Sequence, residues 1–170
     1  SALAYATFTV ELMDQLRDLG IGVDALYVGS GGATYAGMLL GSLALRRPFR
    51  VVGFTPTGSA VSQRKYVVDL LHDAIRWLGQ ELTVPQDAIE IFDDYVGKAL
   101  NVPVSDAVQA IRLAASTEGI FLDPVYSSRA MAGLVKHARC NQLDNRNVVF
   151  VHTGGLPSLF AFAASLSPTQ

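Results

Sequence analysis

Cysteine is nearly absent from this sequence: Cys140 is the only one in 170 residues. An intrachain disulfide is therefore excluded, and a reducing compartment is the simplest expectation. Cys140 follows His137 closely, but a cysteine at a helix end is expected to be incidental there. Charge is scarce as well. Charged residues make up 16% of the chain and the net charge is −2, so no nucleic-acid surface is indicated. Long hydrophobic runs are missing. Half of the residues are hydrophobic and the mean hydropathy is +0.30, yet nothing approaches the ~18 consecutive apolar residues of a membrane helix. A chain this apolar without a membrane segment is expected to present a face that another domain or subunit covers. No basic segment precedes the first apolar stretch, so no signal peptide is expected. No metal site is expected either. The length fits one domain.

Glycine, in contrast, is concentrated where it can carry chemistry. Leu26 to Gly41 reads LYVGSGGATYAGMLLG. An apolar run ends at Val28, a turn follows over Gly29, Ser30, Gly31, Gly32, Ala33 and Thr34, and a small-residue helix begins. Strand, glycine turn and helix form the layout of an anion-binding loop. Glycines let the backbone approach a phosphate, and the first free N–H groups of the helix point at it. The hydroxyls of Ser30 and Thr34 add donors. A tight βα turn with glycine for steric reasons is the plainer alternative. The two common nucleotide patterns are incomplete. Thr34 stands where a dinucleotide fingerprint places its third glycine, the next strand ends in Thr55 rather than an acid, and the loop holds no P-loop lysine. A ligand with a single phosphate stays open.

The rest of the chain alternates between two periodicities. Helices are expected over 2–19, 34–45, 59–78, 107–116, 127–138 and 156–165, with strands over 24–28, 50–54, 89–92 and 147–151. Ser59, Ser105 and either Ser127 or Ser128 are the expected caps. The pattern predicts an α/β fold of three layers, a mostly parallel sheet with helices on both faces. Ligands bind beyond the carboxyl ends of the strands in such sheets. That rule gathers Gly29 to Thr34, Thr55, Asp93 to Tyr95 and His152 to Gly155. A lone histidine such as His152 is more often structural than catalytic.

Four segments carry a family resemblance: GSGGATYAGM at 29–38, AIRLAA at 110–115, TEGIFLDPVY at 117–126 and VFVHTGGLPSLF at 149–160. In order and spacing the chain resembles the second half of a pyridoxal-phosphate enzyme of the tryptophan-synthase-β fold type (fold type II). The branch it is most similar to is that of 1-aminocyclopropane-1-carboxylate deaminase and D-cysteine desulfhydrase. The resemblance implies that pyridoxal 5'-phosphate is the cofactor. Its phosphate would be held by Ser30, Gly31, Gly32, Ala33 and Thr34. Thr153, beside Gly154, would hydrogen-bond the pyridine nitrogen, and Tyr126 would be an active-site tyrosine beside a small amino-acid substrate. The deaminase has glutamate after that tyrosine and leucine before the glycine pair; here Ser127 and Thr153 stand there. A neutral hydroxyl keeps the ring nitrogen less protonated than a carboxylate does, which resembles the desulfhydrase side. The resemblance thus implies α,β-elimination giving pyruvate, ammonia and sulfide, in a cytoplasmic homodimer or other homo-oligomer.

Two features depart from the relatives. Leu100 occupies the place of a second active-site tyrosine, and Tyr95 is out of register with it. Nothing corresponds to the N-terminal half that holds the Schiff-base lysine. Lys65, Lys98 and Lys136 are the only lysines, and each reads as a solvated charge. The expectation is a single cofactor-binding domain over 1–170 that lacks that half, or one chain of a split enzyme, inactive alone. A non-catalytic interaction module of the same fold and an unrelated phosphate-binding α/β domain are the alternatives.

Overall fold

A computed structural model describes residues 2–100 and 102–166. The elements run α1 (Ala2–Asp18), β1 (Ala25–Val28), α2 (Ala33–Ala44), β2 (Arg50–Phe54), α3 (Ala60–Trp77) and β3 (Glu90–Phe92). They continue through α4 (Ser105–Glu118), α5 (Ser127–Arg139), β4 (Val148–Val151), α6 (Ser158–Ala161) and α7 (Ala163–Leu166). The four strands form one sheet in the order β3-β2-β1-β4. Every neighbouring pair is parallel.

Alternation along the strands builds two apolar layers, because successive strand side chains point to opposite faces. Leu26, Val28 and Val51 pack with α1, α2 and α3 through residues such as Leu39, Leu71 and Phe8. Ala25, Tyr27, Val52 and Phe54 pack on the other face with α4 and α5 through Ala110 and Ala130. The central strand β1 is buried throughout, as a strand covered on both faces must be. On the first face, α1 lies close against α2 because Gly37 and Gly41 lack side chains. A Cβ on Gly41 would lie 2.6 Å from the Cβ of Thr9. On the second face, Tyr27, Phe54, Phe92, Tyr95 and His137 form an aromatic cluster. The Tyr27 hydroxyl lies 2.7 Å from His137 Nδ1.

Several helix ends follow the sequence. Ser59 caps α3, its side chain accepting from the Ser62 N–H at 3.2 Å within a reciprocal capping box. Gly119 ends α4 in the left-handed conformation at φ 67°. Three expectations are corrected. Ser105 is the first residue of α4 rather than its cap; Val104 takes the N-cap position and no side chain caps this end. Neither Ser127 nor Ser128 caps α5, which begins at Ser127. Asp123 takes that role from outside the helix, because its short carboxylate reaches the N–H groups of Val125, Tyr126 and Ser127 together at 2.7–2.8 Å. The single helix expected over 156–165 is instead two short turns, α6 and α7, interrupted at Phe162. No residue of α6 is buried, and helices this short persist only where packing holds them.

Candidate functional site

The strand register brings the two glycine corners to one rim. Val28 pairs with Val151 on one side and with Gly53 on the other. Ser30 and Thr153 therefore each lie two residues beyond a matched pair on neighbouring strands, which run about 4.8 Å apart. The strand order also reverses here. The chain passes from β1 to β2 on one side, and β4 returns on the other. The crevice outside β1 and β4 is thus the topological switch point, where open parallel sheets bind ligands.

At the first corner, packing dictates two of the glycines. A Cβ on Gly29 would lie 2.6 Å from the carbonyl carbon of Tyr126, and one on Gly31 would lie 2.9 Å from the Cβ of Thr55. Gly32 is different: the nearest neighbour to its missing side chain is Tyr66 Cε1 at 3.7 Å. Gly32 is the N-cap of α2 and provides no side-chain cap. Its own N–H is accepted by Ser30 Oγ at 3.2 Å. Among the described residues, the N–H groups of Ala33 and Thr34 have no acceptor in the chain. Unlike the capped α3, α2 directs unclaimed donors and the positive end of its dipole at the rim.

At the second corner, Gly154 and Gly155 adopt φ of 102° and 89°, which other residues avoid. His152 secures the turn: its Nδ1 accepts from the Gly154 N–H at 3.1 Å, and Nε2 lies 2.8 Å from the Phe121 carbonyl. With Nδ1 accepting, Nε2 is the nitrogen that donates to the Phe121 carbonyl. His152 is a strut, as the sequence suggests. Thr153 is half-buried between these contacts.

Asp123 joins the two corners. It is 1% exposed. Besides the three amide donors, it accepts from Ser127 Oγ at 2.6 Å. Its side chain also fills the space beside Gly155, where a Cβ would lie 2.7 Å from the carboxyl carbon. It thereby holds the backbone of Tyr126 against Gly29 and supports the Thr153 turn. Tyr126 as a whole is 43% exposed.

Other sequence candidates lie elsewhere. Tyr95 is buried in the aromatic cluster, its hydroxyl directed at the Ala132 carbonyl at 3.4 Å. Asp93 accepts from the Ala60 N–H at 2.7 Å and supports the start of α3. Leu100 is exposed. All three lysines are exposed. The Lys136 ammonium sits 3.1 Å from Asp94, which holds its pKa above the usual lysine range. Cys140 is exposed at the end of α5. A groove of about 710 Å³ lies between α4 and α5, lined by residues including Gln109, Leu113 and Val135, and it is separate from the rim.

Two residues escaped the sequence reading. Asp123 was legible in principle, since aspartate just before a helix is a capping signal. Arg129 was detectable only as an anomaly, a cation in the first turn of a helix where the dipole opposes it. It is wholly buried. Its Nη1 donates to the Pro56 carbonyl at 2.6 Å, while Nε and Nη2 have no partner.

The profile of the family described as pyridoxal-phosphate dependent enzyme matches residues 1–154. This chain belongs to that family. A D-cysteine desulfhydrase of Salmonella newport is 35% identical over 165 residues, which are 95% of this chain and 48% of the relative. A crystal structure of a 1-aminocyclopropane-1-carboxylate (ACC) deaminase homologue superposes with a TM-score of 0.85 at 30% identity, covering 97% of this chain and 49% of that one. The O-acetyl serine sulfhydrylase isoform 3 of Entamoeba histolytica shares the fold, with a TM-score of 0.60 at 14% identity. The chain spans about half the length of the relatives it matches. Pyridoxal phosphate is the cofactor of the family to which it belongs. Among the described residues, no helix is long and apolar enough to cross a membrane.

Proposed function

We propose that this chain forms the phosphate- and ring-holding part of a pyridoxal-phosphate-dependent lyase that acts on a small amino acid by α,β-elimination, in the manner of a D-cysteine desulfhydrase. The observation that carries this is the uncapped start of α2 at the switch point. The N–H groups of Ala33 and Thr34 are unclaimed there, and the family supplies a phosphorylated ligand for them. Ser30, Gly31, Gly32, Ala33 and Thr34 would hold the phosphate through backbone donors and hydroxyls. Thr153 and Gly154, across the crevice, would receive the ring end. When bound, the cofactor supplies an electron sink that weakens bonds at the substrate Cα.

The remaining chemistry falls to side chains. A threonine hydroxyl is uncharged, so Thr153 orients a ring nitrogen without holding a full proton on it. That suits loss of a good leaving group such as a thiolate from Cβ, which needs a weaker sink. Tyr126, exposed at the rim and fixed through its backbone to Gly29 and Asp123, would stand beside the substrate. None of the three exposed lysines is desolvated, and a lysine used covalently needs burial or a cationic neighbour. A lysine from outside this segment would therefore bind the cofactor and move the Cα proton. Products would be pyruvate, ammonia and sulfide. The relatives' extra length is the natural source of that lysine and of cover for the rim, and a homo-oligomer fits the apolar surface.

The isolated chain mixed with pyridoxal phosphate and borohydride tests this division of labour. The expected result is no stable reduced adduct on Lys65, Lys98 or Lys136. An adduct on any of them overturns it. For the completed enzyme, sulfide release from D-cysteine is expected. A cofactor-loaded protein that releases none excludes the desulfhydrase reading.

A further inference from the structure

The loop from Ser30 to Thr34 contains no cation, yet a phosphate there would carry about −1.5 to −2 charges at neutral pH. One candidate for a counter-charge is hidden inside the fold. We propose that Arg129 is the buried counter-charge of this corner, a positioning residue that sets how tightly the loop holds a phosphate dianion. The proposal rests on the phosphate reading above and deepens it.

Three observations carry it. First, Arg129 is 0% exposed, and its Nε and Nη2 lack any acceptor. The hydroxyl of Ser128, in the same helical turn, is equally buried and unpartnered. A buried cation without a bonded anion is costly, and such groups concentrate where function requires them. Second, the nearest carboxylate is already engaged. Asp123 spends its oxygens on the N–H groups of Val125, Tyr126 and Ser127 and on Ser127 Oγ. It lends Arg129 a Coulombic interaction but no direct bond. Third, two short routes tie Arg129 to the loop. It lies one turn into α5 from Tyr126, whose carbonyl rests on Gly29. Its Nη1 holds Pro56, the residue after Thr55, and Thr55 rests on Gly31. The guanidinium thus sits between the first turn of α5 and the exit of β2, behind the glycine corner. At that depth, salt screens its field weakly. Arg129 acts through this field and through the two backbone segments it braces, without contact with the ligand.

The test is titration of the purified protein with inorganic phosphate by calorimetry and with pyridoxal phosphate by fluorescence. Arg129→Gln keeps a donor for the Pro56 carbonyl and removes the charge. It is expected to weaken phosphate binding about tenfold, with the loss persisting at high salt. Arg129→Lys is expected to bind nearly as tightly as the wild type. Arg17→Gln, at an exposed position near the end of α1, is expected to change nothing. If Arg129→Gln does not fold, Arg129→Met fills the same space, and its expected loss is the same. Unchanged affinity in the neutral variant, or an equal loss in the lysine variant, overturns the role. A wild-type protein that binds neither ligand overturns the phosphate reading itself, and this proposal with it.

Discussion

The carbonyl of Tyr126 occupies the space in which any residue other than glycine at position 29 would carry its side chain. One backbone contact thus fixes the tyrosine at the α5 start against the first residue of the glycine corner. Asp123 holds the same carbonyl's residue from the other side, accepting from the Tyr126 N–H at 2.8 Å.

Gly29→Ala follows directly. The added methyl cannot be met by a rotamer change, since its neighbours are backbone atoms of Tyr126 and Ser127. The expected cost is about 1–3 kcal/mol of stability, together with weaker cofactor binding as α5 is displaced. Urea denaturation and a pyridoxal-phosphate titration measure the two effects. A variant with wild-type values in both removes Gly29 as the joint between α5 and the loop.

Asp123→Asn tests the hub. One oxygen becomes an NH₂ group, which must then face donors it cannot accept from. A loss of about 2–4 kcal/mol is expected, because buried donors to a charged acceptor are left unsatisfied. Near-UV circular dichroism should change with it, as the aromatic layer behind α5 loosens. Retention of full stability would mean that the backbone alone holds the Asp123–Ser127 turn.

Thr153→Val preserves shape and removes the hydroxyl. Little change in stability is expected, since the side chain is only half-buried, with a cost of roughly 1 kcal/mol or less. Cofactor phosphate binding should survive, while the absorption spectrum of the bound ring shifts. An identical spectrum would detach Thr153 from the ring.

Stability should also depend on pH through His137. Burial holds its imidazole below the ordinary histidine value of 6.5, with Lys136 and Arg50 pushing the same way and Asp94 and Glu90 opposing. The Tyr27 hydroxyl lies 2.7 Å from Nδ1 and donates to it when that nitrogen carries no proton. Above about pH 7 both folded and unfolded chains carry a neutral histidine, and this group contributes no pH dependence. As pH falls below that range, the unfolded chain takes the proton first and stability drops, until His137 titrates in the fold. Urea midpoints at about pH 7.5 and about pH 5.5, compared between wild type and His137→Asn, check this. A wild-type difference no larger than the variant's would refute it.

The local pattern of the chain was enough to name its four strands and its helices up to α5, but not the split into α6 and α7. Short apolar runs marked β1 and β2, helical stripes marked α1 and α3, and Gly119 and Ser59 marked helix ends through conformations and hydrogen bonds that involve only neighbouring residues. The glycine corner at 29–34 and the HTGG corner at 152–155 were legible because turns are local.

What lay between distant residues was not legible. The serines at 127 and 128 looked like caps because a hydroxyl before a helix usually serves as one. Only the folded chain shows the Asp123 carboxylate reaching those amides first. Tyr95 followed a strand end and looked like a rim residue, but the aromatic layer of Phe54 and Phe92 draws its ring inward. Arg129 drew no sequence expectation; its burial appears only once the sheet, α5 and the β2 exit close around it. Sequence determined which segments could bind a phosphate, because donors and glycines are local properties. Tertiary structure decided which charges lie buried near them, because burial and field strength depend on what long-range packing places around a group.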